Sequence, residues 1–384
     1  MKNWKKALGA AVAAAMAVTA VMPVSVFAEG ETFKIGGIGP ISGGAAVYGQ
    51  AVKNAAEIAV EEINEAGGIG GAQIEFNFQD DEHDAEKSVN AYKTLKDWGM
   101  QILMGTVTST PCIAVSQVAA EDNLFLLTPS GSAVESIAPE NAFRVCFSDP
   151  NQGSASAAYI GENGLAEKVA VIYNSSDVYS TGIYETFAAE AENQPFEIVA
   201  VKEFTEDTKN DLSVQIQTAK DAEADLVFLP IYYTEASMIL AQANGMGYAP
   251  KFFGVDGMDG ILDVEGFDTS LAEGVMLLTP FAADAEDEKT QNFVSKYKEK
   301  YDGDVPNQFA ADAYDAIYII KAAIEQAGVT PDMEVSDICE ALKTAMTEIT
   351  FDGLTGEGMV WSADGEPNKA PKAVIITDGA YAAM

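Results

Sequence analysis

Polar side chains able to do chemistry gather just after the short apolar runs of this sequence, and they are of few kinds. Ser42 and Tyr48 follow the run around Ile35. Gly105-Thr106-Val107-Thr108-Ser109-Thr110-Pro111 follows Ile102–Met104, and Thr128-Pro129-Ser130-Gly131-Ser132 follows Leu124–Leu127. Asn174 and Tyr179 come after Val171–Tyr173, Tyr232 and Tyr233 after Leu229-Pro230, and Asp256 after Phe253. Each residue alone has a plain structural role: serines as helix caps, tyrosines as core with a wet tip, the acid as a turn residue. Together, at successive strand ends, they outline a concave site for a small ligand with polar and apolar parts. Arg144 is the only arginine and sits inside an apolar run, away from where a dianion would want a guanidinium. A carboxylate would therefore rest on hydroxyls and backbone amides. This favours a zwitterion with one carboxylate, its ammonium paired with Asp256.

The elements that must position these residues alternate. Ile74, Phe76 and Phe78 alternate in Gln73–Asp80 as a half-buried strand does. Lys168–Tyr173, Glu197–Phe204, Leu226–Leu229 and Lys251–Phe253 read as further strands. Helices are expected at Ala45–Ala66, closed by Gly67-Gly68, and at Ala85–Trp98, capped by Asp84. Strand–helix alternation from Phe33 to about Gly254 predicts parallel sheets covered by helices. An extra strand, Phe143–Phe147, and a Ser148-Asp149-Pro150-Asn151 turn mark a lobe boundary, since one sheet would otherwise need too many strands. Helices at Glu286–Tyr301, Phe309–Gly328 and Val335–Met346 follow in succession. A β-rich tail then comes at Ile349–Gly353, Gly358–Trp361 and Ala373–Thr377, so the chain returns to complete lobes already begun.

Catalytic readings find little support. His83 is the only histidine, in the acidic loop Asp80–Asp84, and no G-x-S-x-G elbow occurs. That acidic loop lacks the spacing of a calcium site. Gly37-x-Gly39 starts like a dinucleotide fingerprint, but Ser42 replaces the third glycine and Pro40 removes an amide donor. Cys112, Cys146 and Cys339 have neither disulfide-framework nor zinc spacing, so free buried thiols are expected. The N-terminus reads as an export signal: Lys2, Lys5 and Lys6, an Ala/Val-rich run from Ala7 to Val21, Pro23, and Val26-Phe27-Ala28 before the cleavage point. The run is short for a span of ~20 residues, and no cysteine follows it to carry a lipid. The formal net charge of −37 disfavours nucleic acid and anionic membrane surfaces as partners.

Gly39-Pro40-Ile41-Ser42-Gly43 with Tyr48-Gly49, Glu61-Glu62-Ile63-Asn64-Glu65-Ala66-Gly67-Gly68-Ile69, and Asp312-Ala313-Tyr314-Asp315-Ala316 resemble the leucine/isoleucine/valine-binding protein family. Those are the extracytoplasmic binding proteins of branched-chain amino-acid ABC importers. The resemblance implies an α/β, periplasmic-binding-protein type I fold: two doubly wound parallel-sheet lobes joined by a three-stranded hinge. It places a signal peptide at 1–28, one lobe at 29–149 plus 279–348, and the other at 150–278 plus 349–384. It assigns Ser109 and Ser132 to the α-carboxylate and nearby polar contacts, the Ser130 carbonyl and Asp256 to the ammonium, and Tyr48, Val107, Tyr179 and Tyr232 to the side chain. Asp256 stands where many relatives have glutamate and Ser132 where many have threonine. His83 and Thr108 occupy the places of a cysteine pair in some relatives, so no such disulfide is expected. The expected protein is a monomer without cofactor, metal or catalysis. It is exported to the periplasm or cell surface and delivers a small uncharged amino acid to a membrane permease. The alternative is a sensory module presenting the amino acid to a membrane receptor.

Overall fold

The computed structural model describes residues 32–384; the expected signal segment lies outside the described residues. The chain begins β1 (Thr32–Gly39), α1 (Ala46–Glu65), β2 (Gln73–Asp80), α2 (Ala85–Trp98), β3 (Ile102–Gly105), α3 (Ser109–Glu121), β4 (Phe125–Thr128) and β5 (Ala142–Arg144). These strands form a wholly parallel sheet in the order β2-β1-β3-β4-β5. Asp84 caps α2, accepting from the Lys87 N–H at 2.8 Å, and Gly99 ends it at φ 91°. β3 (Ile-Leu-Met-Gly) and β4 (Phe-Leu-Leu-Thr) are buried throughout, as strands covered on both faces must be.

The second series is α4 (Asp149–Glu162), β6 (Lys168–Asn174), α5 (Val178–Ala191), β7 (Glu197–Phe204), α6 (Ser213–Asp221), β8 (Leu226–Leu229), α7 (Tyr233–Gly245), β9 (Lys251–Gly254) and β10 (Met276–Thr279). After α8 (Glu288–Lys300), α9 (Gln308–Ala327) and α10 (Val335–Met346), the chain ends in β11 (Lys372–Thr377) and β12 (Ala380–Ala383). The second sheet has the order β12-β11-β10-β9-β8-β6-β7. β11 and β12 are antiparallel, so this sheet is mixed where a parallel one is expected.

The two sheets share one plan. In each, the strand order reverses beside the first strand, between β1 and β3 in one and between β6 and β8 in the other. Loops diverge at such points and leave a crevice.

Helices α8 to α10 return to the first sheet. α9 runs along α1, and α10 packs on α9 and β4. Ala313, Ile317, Ile320 and Ile324 of α9 are buried at helical spacing, as are Val52, Ala55, Ala59 and Ile63 of α1. Each large apolar side chain so buried contributes about 1.5–3 kcal/mol, and the alanines let the helices approach closely. Asn307 caps α9 by accepting from the Ala310 N–H at 3.1 Å.

The chain thus passes between the sheets three times: after β5, after β10 and after α10. Lys369, on the third passage, is 6% exposed. Its ammonium donates to Asp312 Oδ1 and Thr355 Oγ1, each at 2.6 Å, and to the Val145 carbonyl of the first passage at 3.2 Å. One cation therefore ties two passages to α9.

Several local expectations change. Ser148–Asn151 is no turn: α4 starts at Asp149 with Pro150 in its first turn, where proline's fixed φ suits the helix and its missing N–H costs nothing. The Phe143–Phe147 strand stops at Arg144 because the chain leaves the sheet there. Ile349–Gly353 and Gly358–Trp361 form only the isolated bridges Phe351–Met359 and Trp361–Pro367, in a segment dense in glycine. β12 follows a tight Asp378-Gly379 turn, both residues at positive φ, a hairpin signal that precedes only four residues of strand. Cys112, Cys146 and Cys339 are free and buried.

Candidate functional site

The crevices of the two sheets face each other, and Tyr48, Val107, Ser109, Ser130, Ser132, Tyr179, Tyr232 and Asp256 all line one cavity between them. Thr108, Gly257 and Phe309 complete it. The space enclosed is about 10 Å³, roughly one water position. The walls are in contact, so anything larger enters only when they part.

The first wall is hydroxyl-rich and firmly pinned. Ser109 opens α3, whose first-turn N–H groups have no intrahelical acceptor and favour an anion. Its Oγ accepts from the Ala133 N–H at 3.2 Å, leaving its own hydrogen to donate. Ser130 Oγ donates to the Val107 carbonyl at 2.6 Å, and Thr128 Oγ1 donates to the Thr106 carbonyl at 2.6 Å while accepting from the Gly131 N–H. Beneath this loop lies Arg144, 1% exposed. Its guanidinium donates to the carbonyls of Gly131 (3.2 Å), Ser132 and Ala133 (3.1 Å), and Nε meets Glu366 at 2.9 Å. The single arginine is consumed in shaping the loop rather than facing the cavity. Thr108 Oγ1 and His83 Nδ1 lie 2.8 Å apart, a hydrogen bond at the two positions where a disulfide is expected to be missing.

The second wall is aromatic and acidic. Tyr179 and Tyr232 stack with centroids 4.7 Å apart and planes at 9°. The Tyr179 hydroxyl donates to Asp256 Oδ1 at 2.6 Å and accepts from the Gly257 N–H at 2.9 Å. The Asp256 N–H donates to Gln152 Oε1 at 3.1 Å. Asp256 is therefore not an unpaired acid, as its strand-end position alone suggests. Burial nonetheless pushes its carboxyl up to about 6; the hydrogen bond from Tyr179 is the largest opposing influence.

Tyr48, on α1 of the first wall, crosses the seam. Its hydroxyl donates to the Gly257 carbonyl and accepts from the Tyr233 N–H at 3.3 Å, and its ring packs on Phe309 at 4.3 Å.

Behind the cavity lie residues the sequence reading passes over. Asp149 is 1% exposed with neither carboxylate oxygen hydrogen-bonded, and Gln152 Nε2 is likewise unpartnered. Burial holds the Asp149 carboxyl well above its usual range. Reading 148–151 as a turn hides both; a helix start at Asp149-Pro150 would place them one turn apart on one face. Phe309 carries a signal only as the first apolar residue after the Asn307 cap. Among the described residues no three His, Cys, Asp or Glu side chains converge as a metal site.

Residues 32–379 match the family model described as periplasmic binding protein. The chain is 30% identical over 302 residues to the Leu/Ile/Val-binding protein homolog 3 of Brucella melitensis, covering 78% of this chain and 80% of that one. It is 28% identical over 345 residues to the leucine-, isoleucine-, valine-, threonine- and alanine-binding protein of Pseudomonas aeruginosa, covering 89% of each. Among solved structures, the branched-chain amino acid transporter substrate-binding protein LivJ of Streptococcus pneumoniae, in complex with isoleucine, superposes with a TM-score of 0.83 at 28% identity. That match covers 92% of this chain and 98% of LivJ. The fold is the periplasmic-binding-protein type I fold, and the chain belongs to the periplasmic binding protein family, among the leucine/isoleucine/valine-binding proteins.

Proposed function

We propose that this protein captures a small uncharged amino acid, aliphatic and branched-chain in type, and delivers it to the membrane permease of an ABC importer. The observation that carries the reading is the opposition of one acid, Asp256, to hydroxyls and helix-start amides across a closed aromatic cavity. The α-carboxylate rests on Ser109, Ser132 and the first-turn amides of α3. The ammonium meets the Ser130 carbonyl and Asp256, and Tyr48, Val107, Tyr179 and Tyr232 surround the side chain. Relatives named for leucine, isoleucine and valine support the ligand class.

The two lobes take residues 29–149 plus 279–348 and 150–278 plus 349–384, and they separate about the three passages to admit ligand. The protein performs no catalysis, acts as a monomer, and works outside the cytoplasm after removal of residues 1–28. Calorimetry against amino acids, their amides, sugars and dicarboxylates tests the reading. Leucine, isoleucine or valine is expected to bind at about micromolar affinity or better, near −8 kcal/mol. A preference for glutamate or a sugar would overturn it.

A further inference from the structure

Two helices of the first sheet begin at the seam with an amide that has no intrahelical acceptor, and each finds one on the other side. α9 starts at Gln308, 1% exposed, whose N–H donates to Asp259 Oδ2 at 2.8 Å. Asp259 follows β9 of the second sheet and is 3% exposed. The Tyr381 hydroxyl of β12 hydrogen-bonds the same carboxyl and accepts from the Gly260 N–H at 3.2 Å, which holds the acid in place. α1 has no side-chain cap of its own; the N–H of Val47, in its first turn, donates to the Tyr233 hydroxyl at 3.4 Å. Tyr233 opens α7, after β8 of the second sheet. None of Val47, Tyr233, Asp259 and Gln308 lines the cavity. Tyr48, Tyr232 and Phe309, which do, are their neighbours in sequence, and Gly257 comes two residues before Asp259.

Parting the walls to admit a ligand breaks these bonds, because Gly257 and Phe309 line opposite walls and carry Asp259 and Gln308 with them. Water then solvates both amides. With the walls together water is shut out, so an amide deprived of its cross-seam acceptor would be buried and unpaired, which opposes closure. Burial pushes the Asp259 carboxyl up to about 7, so α9 uses its oxygen as an acceptor more than its charge. We propose that Asp259, seconded by Tyr233, is a positioning residue for ligand capture. It latches the closed walls by capping α9 from across the seam, and it sets how long a bound amino acid stays without touching it. This role rests on the amino-acid capture proposed above. A ligand entering the open form does not meet the latch, so losing the latch changes the dissociation rate and spares association.

The test measures leucine association and dissociation by stopped-flow fluorescence on the full mature chain, and the melting temperature without ligand. Asp259→Ala should speed dissociation about tenfold and leave association within about twofold. The ligand-free melting temperature should move by less than about 2 °C, because the open form does not use the latch. Asp259→Asn keeps an oxygen for the Gln308 N–H and should hold the rate within about threefold of wild type, which a role resting on charge would not allow. Tyr233→Phe should speed dissociation about threefold, the Val47 bond being the longer one. Gln308→Pro removes the donor itself at the first helical position, where proline is favoured and the preceding Asn307 is already extended. It should speed dissociation severalfold, and in that background Asp259→Ala should add nothing. A further rise of about tenfold there would make Asp259 a packing residue and overturn the latch. Unchanged dissociation in Asp259→Ala overturns it as well; should that variant fail to fold, Gln308→Pro decides alone by the same criterion. A wild-type chain that ignores leucine, isoleucine and valine overturns the capture reading instead. The same variants are then measured with whichever sugar or dicarboxylate binds, since the latch requires only closure.

Discussion

The two walls of the proposed amino-acid cavity are built on the same strand order and stabilised in opposite ways. On the first, hydroxyls and carbonyls are bound to one another, and a buried guanidinium braces the loop from below. On the second, a carboxylate accepts from one phenol, Tyr179, while burial works against its charge. The first wall has its geometry settled before any ligand arrives. The second stores an electrostatic demand that a ligand's ammonium can meet. On the proposed capture of an amino acid, pre-organised hydroxyls supply fit and the costly acid supplies affinity.

Arg144→Met would break the first half of this comparison most severely. It removes the donors to three loop carbonyls. Glu366, 37% exposed, returns to water, and the Ser132 and Ala133 carbonyls keep the Asp149 and Ser136 N–H groups. The buried Gly131 carbonyl is left unpaired at about 1–3 kcal/mol, and the other two each lose a bond from a charged donor. Denaturant unfolding should show that loss, and an unchanged midpoint would mean the loop holds its shape unaided. Asp256→Ala should cost the ligand a similar amount, a hundredfold or more in affinity by calorimetry. Stability of the free protein should move far less, because relief of a buried charge offsets the lost Tyr179 bond. A large fall in melting temperature with unchanged affinity would reverse the assignment of the two walls.

Ser109→Ala is expected to be milder. The hydroxyl's hydrogen bond to a carboxylate is worth roughly 1.5–3 kcal/mol, and the α3 amides remain. A loss equal to that of Asp256→Ala would show that the first wall also carries charge-scale energy.

The smallest effect is with pH. The raised carboxyl of Asp256, about 6, must be ionised to receive an ammonium, so amino-acid affinity should fall about tenfold from pH 7 to pH 5. In the free protein this residue has the opposite sign. Folding favours its protonated form, so its contribution to stability falls as pH rises from about 4 to about 6. Calorimetry and thermal melts across that range should diverge; parallel curves would sever the acid from the ligand.

The cavity lining was legible because a parallel strand puts the loop that faces the crevice directly after its last apolar residue. Ile102–Met104 and Leu226–Leu229 announce Val107, Ser109 and Tyr232 without any tertiary knowledge. Phe309 was not legible in this way, since it reaches the cavity by the packing of α9 along α1, a contact between residues far apart in sequence. Arg144 was placed correctly in a strand, yet nothing in its neighbours reveals that its acceptors lie in the loop above. Asp149 and Gln152 were hidden by Pro150, which reads as a turn former when isolated and as a helix starter once Asp149 precedes a regular α4. The tail's hydrophobic alternation was real, but its glycines and Pro367 reduce it to single bridges, while four mostly small residues after Gly379 succeed as a strand because β11 is there to pair.

The three passages also govern when this protein can be finished. The five-stranded sheet lacks α9 and α10, which pack on β3 and β4, until residue 346 has been made, and the seven-stranded sheet lacks its edge until residue 383. Neither lobe corresponds to a contiguous stretch that could fold while the rest is still being synthesised, so a chain truncated before α9 leaves the apolar face of α1 open to water. For a polypeptide that leaves the ribosome from one end, both halves mature almost together and late.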